Sequence, residues 1–149
     1  MTPSYVAVVG SGDAPSAELE VAEAVGRGVA ARGAVVVCGG LGGVMEAACR
    51  GAKAAGGTTV GLLPGPDRGA ANEFVDVAIP TGLGEARNAL VVRASDVLIA
   101  VGGSWGTLSE IALALRTGRR VVGVGTWELG RPGVEAAADA SAAVELALR

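Results

Sequence analysis

The chain has 149 residues, half of them hydrophobic but only 3% aromatic, with 25 glycines and a formal net charge of −3. That length suffices for one ordinary domain to bury a core without disulfide or metal staples, and the apolar content excludes a disordered tail. There is no histidine, which excludes an imidazole base, Ser–His–Asp and Cys–His couples and His-ligated metals.

Tyr5 to Val9 is a short apolar run ending in Gly10-Ser11-Gly12, a buried strand and its turn. From Pro15 to Arg32, Val21, Val25 and Val29 recur one helical turn apart, and Gly33 stands where a C-terminal cap belongs. Gly26 and Gly28 inside that helix each cost about 1 kcal/mol against alanine; close packing on a sheet would explain them, and so would simple tolerance. Ala34 to Cys38 predicts a second strand, broken by Gly39-Gly40-Leu41-Gly42-Gly43. A helix from Val44 to Ala55 closes at Gly56-Gly57, and a third strand from Thr58 to Leu63 stops at Pro64-Gly65-Pro66. The segment from Pro64 to Asn72 reads as the most flexible connection. Val75 to Ile79 alternates like a strand near an edge, and Gly84 to Ala94 reads as a helix. Asp96 to Val101 is the most strand-like run, ended by Gly102 to Gly106; Thr107 to Arg116 follows as a helix, Arg120 to Val124 as a strand and Gly133 to Leu148 as a final helix.

Val-rich strands alternating with helices predict an α/β domain, a doubly wound, mainly parallel sheet covered on both faces, with no linker dividing residues 1–149. Cys38 and Cys49 form neither a zinc pattern nor a CxxC pair and read as small buried residues. No metal site is expected. The N-terminal MTPSYVAVVG has no basic residue ahead of its short apolar run, unlike a secretory signal, and no stretch reaches the ~18 apolar residues of a membrane span. A cytoplasmic protein is the expectation. The acidic balance argues against nucleic acid as a partner.

In such sheets ligands sit beyond the carboxyl ends of the strands. Three turns there are glycine-rich: Gly10-Ser11-Gly12, Gly39 to Gly43, and Gly102 to Gly106. They would let a phosphate approach the backbone and the helix N-terminal amides, although tight turns need glycine in any case. The P-loop ending is absent, since the single lysine, Lys53, lies between alanines. The acid that a dinucleotide site carries at the tip of its second strand is also absent, because that strand ends in Val37-Cys38.

Thr107-Leu108-Ser109-Glu110 fits a capping box, in which the glutamate reaches back to the helix start. Alternatively, Glu110 projects into the crevice toward a sugar while Arg87 approaches from the preceding helix. A solvated helix arginine is the plainer reading of Arg87. Trp105 and Trp127 read as core or interface aromatics, with ligand contact as the alternative.

The run from Arg87 to Glu110 resembles the signature of the LOG (Lonely Guy) proteins, long labelled lysine decarboxylases: an Arg-Lys or Arg-Asn pair, an Asp-containing strand, then Pro-Gly-Gly-x-Gly-Thr-x-x-Glu. Gly39 to Gly43 with Val44-Met45 is similar to the first glycine loop of the same superfamily, and the likeness runs from Tyr5 to about Val124. It implies a three-layer Rossmann-like fold. In LOG enzymes the motif Arg and Glu take part in cleaving the N-glycosidic bond of a nucleoside 5′-monophosphate, releasing a base and ribose 5-phosphate. By that resemblance Arg87 and Glu110 are a catalytic pair. Lysine decarboxylation is not implied, because Lys53 in an Ala-Lys-Ala-Ala helix is a poor Schiff-base candidate.

This chain has Gly102 where the LOG motif has Pro, Ser104 where it has the second Gly, and no Met-His-Glu before Arg87. With Arg87-Asn88 and Gly43-Val44-Met45-Glu46-Ala47, these features resemble a sister group containing the plant and algal molybdenum-cofactor carrier proteins. That resemblance implies a carrier or sensor of a phosphorylated nucleotide-like or pterin small molecule; a LOG-type phosphoribohydrolase is the alternative. The expected ligand is a nucleoside monophosphate or a molybdopterin-type phosphate, with no cofactor required. The ligand-binding set is Gly10, Ser11, Gly12, Gly39, Gly40, Gly42, Gly43, Met45, Gly102, Gly103, Ser104, Gly106 and Thr107. A homodimer or homotetramer is implied because relatives of this kind assemble so.

Overall fold

Strands that expose neither face to water can be apolar at every position, and valine supplies the β-branched stiffness that favours them. β1 (Tyr5–Gly10), β2 (Val35–Cys38) and β5 (Val97–Val101) are built this way, and β2 and β5 are buried throughout. In the computed structural model, which describes residues 2–149, they join β3 (Thr59–Leu63), β4 (Val77–Pro80), β6 (Arg120–Val124) and β7 (Val134–Ala136) in one sheet. Its order is β4-β3-β2-β1-β5-β6-β7, and every pairing is parallel.

The helices divide between the two faces. α1 (Ser16–Ala31), α2 (Val44–Ala54) and α5 (Ala140–Ala147) cover one face through Val25, Val29, Ala48 and Val144 against Val6, Val8, Val36 and Ile99. α3 (Arg87–Arg93) and α4 (Trp105–Arg116) cover the other through Val91, Val92, Ile111 and Ala114 against Ala7, Val9, Val37 and Leu98. The alternation along β1 assigns its even residues Val6 and Val8 to one core and its odd residues Ala7 and Val9 to the other. This is the doubly wound arrangement that the alternation of elements predicts, and the three-layer Rossmann-like fold that the family resemblance implies.

α1 and α2 meet backbone to backbone. A Cβ at Gly26 would overlap the Ala48 carbonyl, and one at Gly51 the Glu23 carbonyl. Gly26 therefore packs against a neighbouring helix rather than the sheet, while a Cβ at Gly28 would come within 2.9 Å of Val144 on α5.

Several features differ from the sequence reading, among them β4, which starts at Val77 rather than Val75 and takes in Pro80. Residues 133–148 do not form one helix: Val134–Ala136 pairs with β6, and α5 starts after Asp139, whose Oδ1 accepts from the Ala142 amide at 2.8 Å. Edge pairing overrides the helix preference of that alanine-rich stretch. The helix expected from Gly84 opens as a 3-10 turn over Gly84–Ala86 and becomes α-helical only at Arg87. The connection after β3 is tied down. Asp67 caps a 3-10 turn over Arg68–Ala70, Arg68 Nε donates to the Ala78 carbonyl, and the Asn72 amide donates to the Gly40 carbonyl. Finally, α4 begins at Trp105, two residues ahead of the expected Thr107. Among the described residues, no helix is long and apolar enough to cross a membrane.

Candidate functional site

From β1 the chain winds outward through β2, β3 and β4, then returns to place β5 on the other side of β1. Strand order reverses there, and crossovers leaving in opposite directions open a crevice at the carboxyl ends. A cavity of about 160 Å³ occupies it, floored by Val8 and Val9 and walled by Gly10, Ser11, Gly12, Gly39, Met45, Arg87, Asn88, Ser104, Gly106, Thr107 and Glu110. Four segments far apart in sequence thus contribute to one cleft. Gly10 is required by close approach, since a Cβ there would lie 2.6 Å from the Val101 carbonyl oxygen and 2.7 Å from Val44 Cγ2.

Arg87 is a clamp rather than a solvated helix arginine. Its Nε donates to the Leu62 carbonyl at 2.9 Å, Nη2 to the Gly39 carbonyl at 3.4 Å, and Nη1 to Asn88 Oδ1. One side chain so joins α3 to the ends of β2 and β3. A Cβ at Gly39 would sit 2.7 Å from Arg87 Nη2 and 2.8 Å from Met45 Sδ, so glycine lets both side chains reach the cleft. Of the five guanidinium donors, one N–H on each Nη is left after these bonds. Asn88 holds the guanidinium through its carbonyl oxygen, which leaves its amide group for the cleft.

The start of α4 supplies the opposite wall. Ser104 is the N-cap position and makes no side-chain cap bond, and the amides of Trp105, Gly106 and Thr107 have no acceptor among the described residues. The expected capping box is therefore absent. Thr107 lies within the first helical turn, and Glu110 is too far along the helix to reach back to the start. Thr107 is buried, and its side chain occupies the space a Cβ on Gly103 would need. Glu110 is only 8% exposed, lines the cleft and makes no hydrogen bond among the described residues. Burial pushes its carboxyl up to about 7 against the opposing pull of the Arg87 guanidinium.

The other named glycines lie elsewhere. A Cβ at Gly40 would sit 2.7 Å from Leu63 Cδ2, and one at Gly43 would overlap the Ser11 carbonyl, so both serve packing beneath the loop. Gly42 has nothing within 4 Å of its Cβ position. Gly102 and Gly103 line a separate shallow depression with Glu18, Gly125, Thr126 and Trp127. Trp105, 76% exposed, stacks on Trp127 with ring centroids 5.2 Å apart, and Trp127 Nε1 donates to the Ser104 carbonyl at 3.0 Å. Neither indole lines the cleft. Asn88, Val8 and Val9 are lining residues that the sequence reading did not single out; Asn88 was signalled only by following Arg87 in the Arg-Asn pair.

Beneath the cleft, Cys38 and Cys49 are both free and buried, with sulfurs 3.5 Å apart. The Gly40 amide donates to Cys38 Sγ at 3.3 Å. The Cys49 thiol and that amide favour the Cys38 thiolate, whereas hydrogen bonding to Cys38 and burial hold the Cys49 thiol well above its usual range.

The fold has counterparts. The chain is similar to the molybdenum cofactor binding protein of the phototrophic bacterium Rippkaea orientalis, with 38% identity and a TM-score of 0.93 over 98% of this chain and 96% of that one. It is also similar to the Moco carrier protein of Chlamydomonas reinhardtii, with 39% identity and a TM-score of 0.89 over 97% and 95%. An uncharacterized protein of Archaeoglobus fulgidus is 47% identical over 116 residues, 78% of this chain and 76% of that one. The chain belongs to the SLOG cluster4 family, whose model matches residues 3–147.

Proposed function

We propose that the cleft holds a phosphorylated nucleotide-like or pterin small molecule and that the protein carries or senses it. The observation that supports this most is convergence of donors. The unpartnered amides of Gly106 and Thr107, the remaining Arg87 N–H groups and the Asn88 amide belong to residues that border the cavity where strand order reverses. Such a wall suits an anion, because helix N-terminal amides carry partial positive charge and a guanidinium fork matches paired phosphate oxygens. In this reading the phosphate lies against Gly106 and Thr107, facing Arg87, and the Gly10-Ser11-Gly12 and Gly39 backbone leaves room for the rest of the ligand. Similarity to molybdenum cofactor binding and carrier proteins over nearly the whole chain supports a carried pterin as the cargo.

A second reading, a nucleoside 5′-monophosphate phosphoribohydrolase, is favoured by Glu110. A buried carboxyl titrating near neutrality beside a guanidinium can stabilise an oxocarbenium-like state or activate water. Calorimetric titration with AMP, GMP and a phosphorylated pterin, coupled to an assay for ribose 5-phosphate, tests both. The carrier reading expects saturable binding that is lost in Arg87→Ala, with no ribose 5-phosphate formed. Release of ribose 5-phosphate from AMP, abolished in Glu110→Ala, would replace it with the enzyme. No binding of any of these probes would remove both.

A further inference from the structure

We propose that Glu110 meets the bound anion as a neutral carboxylic acid donating a hydrogen bond to one of its oxygens, so that capture of the anion takes up a proton. This rests on the anion-site reading above and assigns to Glu110 a binding role that needs no turnover.

The geometry carries the argument. Glu110 is more than nine-tenths buried, lines the cleft, and has no hydrogen-bond partner among the described residues. The polar groups lining the cavity with it are the unpartnered Gly106 and Thr107 amides, Arg87, the Asn88 amide and the Ser11, Ser104 and Thr107 hydroxyls, each able to donate to an anion. A phosphate or sulfate oxygen entering that space accepts from each of them. An ionised Glu110 would be the one negative charge in the lining and would repel it, whereas the protonated acid adds one more donor.

Arg87 makes no hydrogen bond to Glu110; its guanidinium is held by the Leu62 and Gly39 carbonyls and by Asn88, and its charge offsets only part of the effect of burial. The titratable groups facing Glu110 are Arg87, from α3, and Cys38, at the end of β2. The strands behind α4 bring no further charge to this end: Tyr5 starts β1, Asp96 precedes β5 and Arg120 starts β6, all at the opposite edge of the sheet. Burial already raises the Glu110 carboxyl to about 7, so the acid form is within reach at neutral pH before any anion arrives.

The test is calorimetric titration of the full chain with sulfate and with AMP. Sulfate does not titrate near neutrality, so any proton taken up with it belongs to the protein. Wild type should bind sulfate about tenfold more weakly for each pH unit above roughly 7. The same titration at pH 8.5, in two buffers of different ionisation enthalpy, should show uptake approaching one proton per sulfate, falling toward zero at pH 6. Glu110→Gln, which keeps a neutral donor, should bind with an affinity independent of pH and take up no proton. Sulfate binding that is flat with pH in wild type, or a pH dependence that persists in Glu110→Gln, would overturn the proposal while leaving the anion site standing. Failure of wild type to bind either probe at pH 6 would overturn the anion site, and this inference with it. The wild-type proton count needs no variant, so an unstable Glu110→Gln would not shield the claim.

Discussion

Glu110 makes the pH dependence of stability a direct test of the cleft. In the folded chain its carboxyl titrates near 7 rather than at the ordinary 4.5, because burial strips it of water more than Arg87 compensates. Between those two values the native state binds more protons than the unfolded state, so stability falls as pH rises through the window. The rise corresponds to about 3 kcal/mol, present in full only above the native value. Glu110→Gln carries no titrating group and escapes that loss. Urea denaturation of both proteins at pH 4.5 and pH 8.5 isolates the effect, since the packing consequences of the substitution are the same at both values. The stability of the variant relative to wild type should improve by about 3 kcal/mol from the lower to the higher pH, on the order of 5–10 °C in Tm for a domain of this size. A difference that stays constant within about 0.5 kcal/mol would show that Glu110 ionises at its ordinary value, and the desolvation argued for it above would be wrong.

Gly26→Ala should destabilise by about 2 kcal/mol or more in chemical denaturation, since overpacking against the Ala48 carbonyl outweighs a helix-propensity gain of about 1 kcal/mol. Gly42→Ala, with open space at its Cβ position, should stay within about 0.5 kcal/mol of wild type. Arg87→Lys should lose about 2 kcal/mol in the same assay, because an ammonium cannot serve the Leu62 and Gly39 carbonyls and Asn88 together; an unchanged midpoint would refute the clamp. Cys38 and Cys49, both wholly buried, should react with an aromatic disulfide reagent only as fast as the protein opens, and rapid labelling of the native protein would contradict that placement.

The sheet was legible because its signal is local. Short β-branched runs such as Val97–Val101, bounded by glycine turns, read as strands covered on both faces, and their alternation with helices constrains topology to a few solutions. The strand-end glycine clusters likewise located the cleft. Which glycine lines it and which packs beneath it depends on partners distant in sequence. Gly39 is shaped by Arg87, 48 residues on, and Gly40 by Leu63. The start of α4 was misplaced because Gly106 is a poor helix former, so the helix seemed to open at Thr107. β7 has three residues at the sheet edge and exists through its pairing with β6, which no window of sequence displays.

The absence of histidine therefore bears differently on the chemistry than composition alone implies. It removes the side chain whose unperturbed pKa lies near neutrality, yet the fold makes a substitute from a glutamate. α4 points Glu110 into a crevice floored by Val8 and Val9, and the one opposing cation facing it, Arg87, is committed to backbone carbonyls and Asn88. Solvation and pairing would each return the carboxyl to its ordinary range, and the site limits both. Arg87 in turn couples binding to architecture, because the side chain offering N–H groups to an anion also joins β2, β3 and α3. An anion that draws on the remaining Arg87 donors strengthens a clamp already closed, so its binding should rigidify the ends of β2 and β3. Hydrogen exchange of the Gly39 to Leu41 amides with and without sulfate would register this, and unchanged protection at saturating sulfate would break the link between clamp and site.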